Sequence, residues 1–541
     1  MKDLLNDCKW PSKASDPLRA IASASALLLI CVPLMIGAIW AFPIWDDAWL
    51  WLLLKEHGAE VIAASFADRP LNAALWALLA TSEHAFWHAA FIAQALLWPT
   101  FGLISALLWS HLFPHHRRYA LVVACLTVAP FATKVQMVTA NIALASLLSV
   151  VLGYGALLLL LRFVKADDNR GRVAFALSLP TLVVAILLQE YALSVVIVML
   201  ILFLTHARNA SDPATRIRAI YAIFIAIFLA GAAYTAYLLA ADYGIRPDVS
   251  PGYILTLGKS HLLRLPFEVV SAIWQGIVGG FAASLGQVTW TSKAGVAGIA
   301  YGALVGILLA YGSQNRLQHR PSSKNLTDQQ GALALALALV AGLIPIVAMG
   351  RLPWDPSDGI SSRFGLPVLP IAAAIMVLMG IGLVQRRFWA VPIILLGFVA
   401  GHAAFTEAWS AVQEQRKMSA LGEALQPYVS SSDGYTVAVV ALPERTLGPR
   451  RQWELTARLS ATWPAELRRK FWAYRFGGGP PLGYWEEARE IFGTRGSCKR
   501  PQDIDITIRL VARRGRLDRL LWVEPQPDGA ISVEPYCIGA S

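Results

Sequence analysis

Apolar residues run in blocks of about twenty along most of the chain, separated by short polar stretches that carry Lys, Arg or His. Twenty residues of helix is the length needed to cross the hydrocarbon core of a bilayer. Such blocks fall at about 20–41, 85–111, 119–133, 138–162, 173–188, 191–206, 219–240, 295–313, 330–349, from Phe364 to Arg386, and 389–406, which makes about eleven spans. Residues 45–82 are too polar and interrupted for a span. They read as short interfacial helices anchored by Trp45, Trp49, Trp51 and Trp76. The stretch 267–288 is apolar but rich in glycine and small residues, and reads as re-entrant or interfacial. After about residue 407 the pattern changes. Residues 409–430 read as a helix leaving the membrane, and alternating runs at Tyr435–Leu442, Ile504–Val511 and Leu520–Val523 read as strands. The predicted fold is an all-α polytopic membrane protein, residues 1–406, followed by a small extracytoplasmic α+β segment, residues 407–541.

Charge orients the spans. Lys2, Lys9, Lys13 and Arg19 precede the first block. His115-His116-Arg117-Arg118, then Arg162, Lys165, Arg170 and Arg172, then His206, Arg208, Arg216 and Arg218 mark alternate loops. Arg316, His319, Arg320 and Lys324, and finally Arg386-Arg387, continue the series. The positive-inside rule puts these loops and the N-terminus in the cytoplasm and the C-terminus outside. The parity is also why 267–288 is predicted not to cross. The first apolar block is too long for a cleaved signal peptide and lacks a small-residue cleavage site.

Composition agrees. The 541 residues are 56% hydrophobic and only 15% charged, where a soluble chain would be nearer a quarter charged. The net charge of +11 resides largely in the loops, so it signals membrane orientation and not nucleic-acid binding. No P-loop or Rossmann glycine pattern is present, which argues against ATP-driven transport and against a nucleotide-sugar site. The five cysteines have no zinc-site spacing, and Cys498 and Cys537 could pair if their segment lies outside the cytoplasm. His84 and His88 share a helical face at i, i+4, with Glu83 beside them, but solvated boundary histidines are the plainer reading.

The candidate chemistry lies on the predicted outer face. Asp46 and Asp47 follow the first span, Asp68-Arg69-Pro70-Leu71 follows shortly after, and Glu190 ends the fifth span. Lys134, Lys259, Arg264, Arg351 and Arg363 supply cations on the same face. Ionisable residues at a membrane edge are costly to place. Carboxylates facing cations there suit sugar transfer from a lipid phosphate. A carboxylate takes the proton of the acceptor hydroxyl, and Arg or Lys holds the leaving phosphate. Paired carboxylates also suit a divalent cation, whereas a carboxylate base needs none.

These motifs, with Ser362-Arg363-Phe364-Gly365-Leu366-Pro367-Val368-Leu369-Pro370 opening a late span and Gln189-Glu190-Tyr191 after a middle one, resemble those of integral-membrane glycosyltransferases of the GT-C fold. The nearest group decorates bacterial O-antigen and related surface glycans. The resemblance covers about residues 1–406 and does not extend to the C-terminal segment. It implies an enzyme of the bacterial inner membrane that moves a sugar from a polyprenyl-phosphate donor to a glycan or lipid acceptor on the periplasmic face. It also implies an inverting displacement with Asp46 or Asp47 as general base. Arg363 would contact the donor phosphate, Arg69 would position the first outer loop, and Glu190 would bind sugar hydroxyls or support the base.

Plainer roles exist for each motif. Asp46-Asp47 could cap an interfacial helix, Arg69-Pro70 could be a turn and helix start, and Arg363 could anchor a headgroup. Two other functions compete. An O-antigen polymerase or ligase would rely on late outer arginines such as Arg351 and Arg363. A transporter or flippase of lipid-linked glycans would place ionisable groups near the midplane and show internal repeats, and no repeat at a fixed period is visible.

Overall fold

A computed structural model of the chain describes residues 17–41, 70–79, 96–130, 144–165, 168–189, 191–209, 212–242, 259–288, 290, 293–313, 326–348, 361–383, 390–430, 435–441, 452–460, 462–469, 471–475, 504–511 and 531–533. The apolar blocks are helices. In chain order they are α1 Pro17–Ala41, α2 Pro70–Leu79, α3 Trp98–Leu112, α4 Ala120–Val128, α5 Ala145–Lys165, α6 Asn169–Leu188, α7 Ala192–Asn209 and α8 Pro213–Asp242. Then come α9 Lys259–Ile273, α10 Gly280–Gly286, α11 Lys293–Ser313, α12 Leu326–Ala348, α13 Leu369–Leu383 and α14 Ala390–Ser430. Among the described residues, eight helical stretches are long and apolar enough to cross a membrane, and Ala192–Arg208 and Gly365–Gly380 are apolar but shorter.

Small residues let the helices approach closely. Gly298, Gly302 and Gly306 lie one turn apart on α11 and face α14; a Cβ at Gly302 would stand 2.5 Å from the Phe398 carbonyl oxygen. This is the close backbone contact that small residues allow between helices in lipid. Gly298 meets Thr406 while Gly306 meets Ile394, so α11 and α14 run antiparallel. The Tyr301 hydroxyl donates to the Leu29 carbonyl at 2.5 Å, and Gly312 lies against Ser23 and the Arg19 carbonyl. Hence α1 is also antiparallel to α11, and the start of α1, the end of α11 and the start of α14 share one end of the bundle.

The remaining helices fall into the same two-ended frame. Gly102 of α3 packs on Val128 and Leu27. The Lys165 ammonium donates to the His111 carbonyl at 3.4 Å, bringing the ends of α3 and α5 together. Phe163 and Phe175 meet in a tilted pair at 4.7 Å between ring centroids where α5 gives way to α6, and Tyr221 of α8 joins them at 5.6 Å from Phe175. Gly331, near the start of α12, lies against Phe113. Arg19, Arg117, Arg118, Arg162, Lys165, Arg172, His206, Arg216 and Arg218 therefore gather at one end of the bundle, the basic end. The alternation of charged loops along the chain is realised as geometry. The far end carries Trp40, whose ring lies 5.9 Å from the guanidinium carbon of Arg416.

Three elements depart from the pattern expected from sequence. The helix expected over 119–133 stops at Val128, because Ala129 precedes Pro130 and takes an extended conformation (φ −72°, ψ 140°). The segment expected to be re-entrant or interfacial is an unbroken helix from Lys259 to Gly286 that passes through a π-helical turn at Trp274–Gly279. A re-entrant hairpin would interrupt it, and Arg264–Gly286 has the length and hydropathy of a span. One face of this helix, Val269, Ala272, Gly276, Gly280 and Ser284, is buried, while Phe267, Val270 and Trp274 are exposed. The third departure is the change in composition near residue 407, which falls inside a helix: α14 runs 41 residues without a break, roughly 60 Å.

Beyond α14, a four-stranded sheet is ordered β2-β1-β3-β4, with β1 Tyr435–Ala441, β2 Phe471–Arg475, β3 Ile504–Val511 and β4 Ile531–Val533. β1 pairs in parallel with β2 and β3, and β4 runs antiparallel to β3. The parallel β1–β2 pair needs a crossover, which α15 Gln452–Leu459 and α16 Ala465–Arg469 supply. The buried Arg458 of α15 donates to the Gln415 side-chain oxygen at 3.1 Å, and Gly422 lies against the Leu459 carbonyl, so the crossover is seated on the C-terminal half of α14. The strands expected at Tyr435–Leu442 and Ile504–Val511 are present; Leu520–Val523 lies outside the described residues.

Candidate functional site

The far end brings together the elements that carry the sequence motifs. Asn72 stands in the first turn of α2, directly after Asp68-Arg69-Pro70-Leu71, and is 2% exposed. Its side-chain nitrogen donates to the Gln189 side-chain oxygen at 3.5 Å, the long limit of a hydrogen bond. Gln189 is the residue before Glu190 and caps α6 in an extended conformation (φ −161°, ψ 137°). Asn72 Oδ1 is buried without a hydrogen-bond partner.

Helix α5 holds two further parts of the arrangement. The Ser149 hydroxyl donates to the Ala185 carbonyl at 2.8 Å and reaches that of Gln189 at 3.1 Å, fixing the last turn of α6. The Tyr154 hydroxyl donates to the Pro367 carbonyl at 2.5 Å. Pro367 belongs to the 3-10 segment Ser361–Val368, which carries Arg363 and leads into α13. Pro367 has no N–H to donate, and the regular α-helix begins after it at Leu369, with Pro370 tolerated in the first turn. Ser149 and Tyr154 are five residues apart, about 7.5 Å along the axis and about 140° around it. The Gln189 turn and the Arg363 segment therefore pack on the same helix, on sides about 140° apart. The start of α7 completes the cluster: a Cβ on Gly342 of α12 would lie 2.8 Å from Val368 and 3.0 Å from Val198.

Of the residues expected to form the site, Asp46, Asp47, Asp68, Arg69, Glu190 and Arg351 lie outside the described residues, as do Lys134, Glu83, His84, His88, Cys498 and Cys537. Arg363 lies in the 3-10 segment tied to α5. Lys259 and Arg264 occupy the first two turns of α9; Arg264 is exposed, and α9 packs chiefly on α12. Among the described residues no group of three His, Cys, Asp or Glu could hold a metal ion.

Sequence reading missed Asn72, Ser149, Tyr154 and His402. The available signal was a lone polar side chain inside an apolar run, which does not reveal its partner. His402 of α14 is 1% exposed, packs against Gly298 and Gly302, and has no hydrogen-bond partner at either ring nitrogen.

No family model and no curated protein matches the chain. Two solved structures are similar over most of its length. One is an Archaeoglobus fulgidus oligosaccharyltransferase in complex with Zn and sulfate, 13% identical over 91% of this chain and 68% of that one, with a TM-score of 0.39. The other is the archaeal oligosaccharyltransferase AglB from Archaeoglobus fulgidus with an inhibitory peptide and a dolichol-phosphate, 12% identical over 90% of this chain and 69% of that one, with a TM-score of 0.35. Likeness this slight does not establish a shared activity.

Proposed function

We propose that the chain is a membrane glycosyltransferase that moves a sugar from a polyprenyl-phosphate donor to a glycan or lipid acceptor at the far end of the bundle, on the periplasmic side of a bacterial inner membrane. The observation that carries the reading is the Asn72–Gln189 contact. It joins the helix that begins after Asp68-Arg69 to the turn that precedes Glu190. The Tyr154–Pro367 bond adds the Arg363 segment through the same helix that holds that turn.

In the proposed reaction the acceptor hydroxyl oxygen attacks the anomeric carbon of the donor. The bond from that carbon to the phosphate oxygen breaks, and the hydroxyl proton passes to Asp46 or Asp47, acting as general base. Attack opposite the leaving group inverts the configuration. The leaving polyprenyl phosphate gains a negative charge, which Arg363, Arg351 and Arg69 stabilise. Glu190 and Asp68 orient sugar hydroxyls; Lys259 and Arg264 take no part, because the unbroken helix from Lys259 to Gly286 leads into the far-end start of α11 and carries them at its opposite end. The sheet-bearing segment on the C-terminal half of α14 is proposed to dock the acceptor.

The test is transfer from a radiolabelled polyprenyl-phosphate sugar by the full-length protein in proteoliposomes. Asp46→Asn or Asp47→Asn abolishes transfer while insertion and thermal unfolding stay as in the parent. Full activity in both variants rejects the reading. Activity that survives both but is lost in Arg351→Gln and Arg363→Gln points instead to the polymerase or ligase class.

A further inference from the structure

The seam between α1 and α14 carries a distinct set of side chains at the far end of the bundle. The membrane-length stretch of α1 ends at Gly37, and that of α14 ends at Gln413. Trp40 and Arg416 each stand three residues further on, at the level where a helix leaves the hydrocarbon core. The Arg416 guanidinium carbon lies 5.9 Å from the centre of the Trp40 ring, close enough for a cation to be attracted to an aromatic face. Both side chains are exposed.

These side chains donate hydrogen bonds and do not accept them. A guanidinium carries five N–H donors and an indole one, and neither has an acceptor. Contact with a ring face engages the charge of Arg416 but none of its N–H groups. The positions one turn away on α14, Val412, Gln413, Ser419 and Ala420, are uncharged, so no ion pair forms along the helix. Gln413 precedes Arg416 by three residues and shares its side of α14. Its side-chain nitrogen is buried without a hydrogen-bond partner, a costly state for a donor. Two helices thus bring three donor groups to one place, and an anion rich in acceptor oxygens, such as a phosphate, complements them.

Below Trp40, α1 presents an apolar row. Leu28, Val32, Ile36 and Trp40 follow one another at every fourth residue, and all four are exposed. The opposite face of α1, with Ala26, Leu27, Ile30 and Leu34, is buried in the bundle. Twelve residues of helix make the row about 18 Å long, a little more than one leaflet of a core roughly 30 Å thick. The donors sit at its upper end, so a head group held there is continuous with a chain laid along the row.

We propose that Trp40, Gln413 and Arg416 hold the phosphate of an anionic phospholipid in the leaflet at the far end, and that an acyl chain of this lipid lies along Ile36, Val32 and Leu28. The charge of Arg416 favours a headgroup that has no cation of its own. The apolar row selects a lipid over a soluble anion. None of these residues has a role in the proposed transfer reaction, so the site stands or falls independently of it.

The test is native mass spectrometry of the full-length protein released from nanodiscs, titrated with phosphatidylglycerol or phosphatidylcholine. The parent retains phosphatidylglycerol in preference to phosphatidylcholine. Arg416→Gln weakens phosphatidylglycerol retention roughly fivefold, the factor for one cation near an anionic surface. Trp40→Leu keeps the apolar row but removes the ring and its N–H, and weakens retention about twofold or more. Arg172→Gln, a charge removed at the basic end, leaves it unchanged. Equal retention of the two lipids by the parent overturns the proposal, as does parental affinity in Arg416→Gln. An equal loss in Arg172→Gln also overturns it, since the preference would then report overall charge. Displacement by equimolar inorganic phosphate or undecaprenyl phosphate does so too, because the occupant would be a soluble anion or a polyprenyl lipid. Should Arg416→Gln fail to insert, Trp40→Leu decides the matter, and parental affinity in that variant overturns the proposal.

Discussion

Asn72 and Gln189 meet side chain to side chain at 3.5 Å although 117 positions separate them, and both are buried. The contact is long and leaves Asn72 Oδ1 without a donor. A buried amide pair of this kind fixes the approach of two elements more than it stabilises them, because an unmatched polar atom offsets much of what the bond contributes.

Removing one partner leaves the other unmatched. Asn72→Ala and Gln189→Ala should each destabilise by about 1–3 kcal/mol. The double variant should lose less than the sum, with a coupling of about 0.5–1.5 kcal/mol. Thermal unfolding in detergent measures this, and strictly additive losses would show that the pair does not interact.

The α11–α14 interface gives a paired prediction. Gly302→Ala would push a methyl group to 2.5 Å from the Phe398 carbonyl oxygen, so the helices must separate. The expected loss is about 1–3 kcal/mol, as for other overpacked sites. Gly231 of α8 has nothing within 4 Å of its Cβ direction. Gly231→Ala should therefore be neutral or should stabilise by up to about 1 kcal/mol through helix propensity. Melting temperatures of the two variants, measured side by side, check the contrast.

His402 is the converse case. Both of its ring nitrogens are buried without a partner, and a polar group so placed costs about 1–3 kcal/mol. His402→Leu removes that penalty with little change in volume, and thermal stability should rise or hold. A fall in stability would mean that the imidazole satisfies a contact that apolar packing cannot replace.

Much of this architecture is legible in the residues. Block length and loop charge are local properties, and they predict both the helices and the gathering of Arg19, Arg117, Lys165, His206 and Arg218 at one end. The stop at Val128 is also local, since Pro130 dictates it. The unbroken helix from Lys259 to Gly286 was hidden by its small residues. Gly276, Gly280 and Ser284 suggest a weak segment when read alone, yet they form the buried seam that holds the helix against its neighbours. The continuity of α14 was hidden by a change in composition, not in conformation: residues after 407 are more polar and remain helical. The contacts of Asn72 and of Tyr154 are tertiary, and no periodicity encodes which remote atom a polar side chain will meet.

Asp212 predicts a response to acid. Its carboxylate accepts from the Thr215 hydroxyl at 2.7 Å and from the Thr215 and Ala214 amides at 2.9 and 3.2 Å. These bonds, with the Thr215 hydroxyl foremost, hold its pKa below the ordinary aspartate value. A carboxylate whose folded pKa is depressed stabilises fully above its unfolded pKa, about 3.9, and the contribution is lost as pH falls through the folded value. Hydrogen-exchange protection in the first turn of α8, taken relative to the intrinsic rate at each pH, should therefore be unchanged from neutral pH to about 5 and should fall below about 4. Asp212→Asn keeps a capping oxygen and should flatten that profile. An unchanged acid response in Asp212→Asn would assign it to another group.

The two hydroxyls of α5 make the proposed site separable. Ser149 fixes the last turn of α6 before Glu190, and Tyr154 fixes the segment that carries Arg363. Ser149→Ala removes the hydroxyl from the Ala185 and Gln189 carbonyls, which keep the Gln189 and Ala192 amides, and Tyr154→Phe removes the hydroxyl that donates to Pro367. Each should cost about 0.5–1.5 kcal/mol of stability. If Arg363 holds the donor phosphate, Tyr154→Phe loosens that arginine and should raise KM for the lipid-linked donor more than it lowers kcat. If Glu190 orients sugar hydroxyls for attack, Ser149→Ala should lower kcat with a smaller change in donor KM. Steady-state transfer in proteoliposomes, with donor and acceptor varied in turn, distinguishes the two patterns. Identical kinetic profiles for both variants would mean that the two hydroxyls serve only the packing of α5, and that the Arg363 segment and the Gln189 turn do not contribute distinct parts of one site.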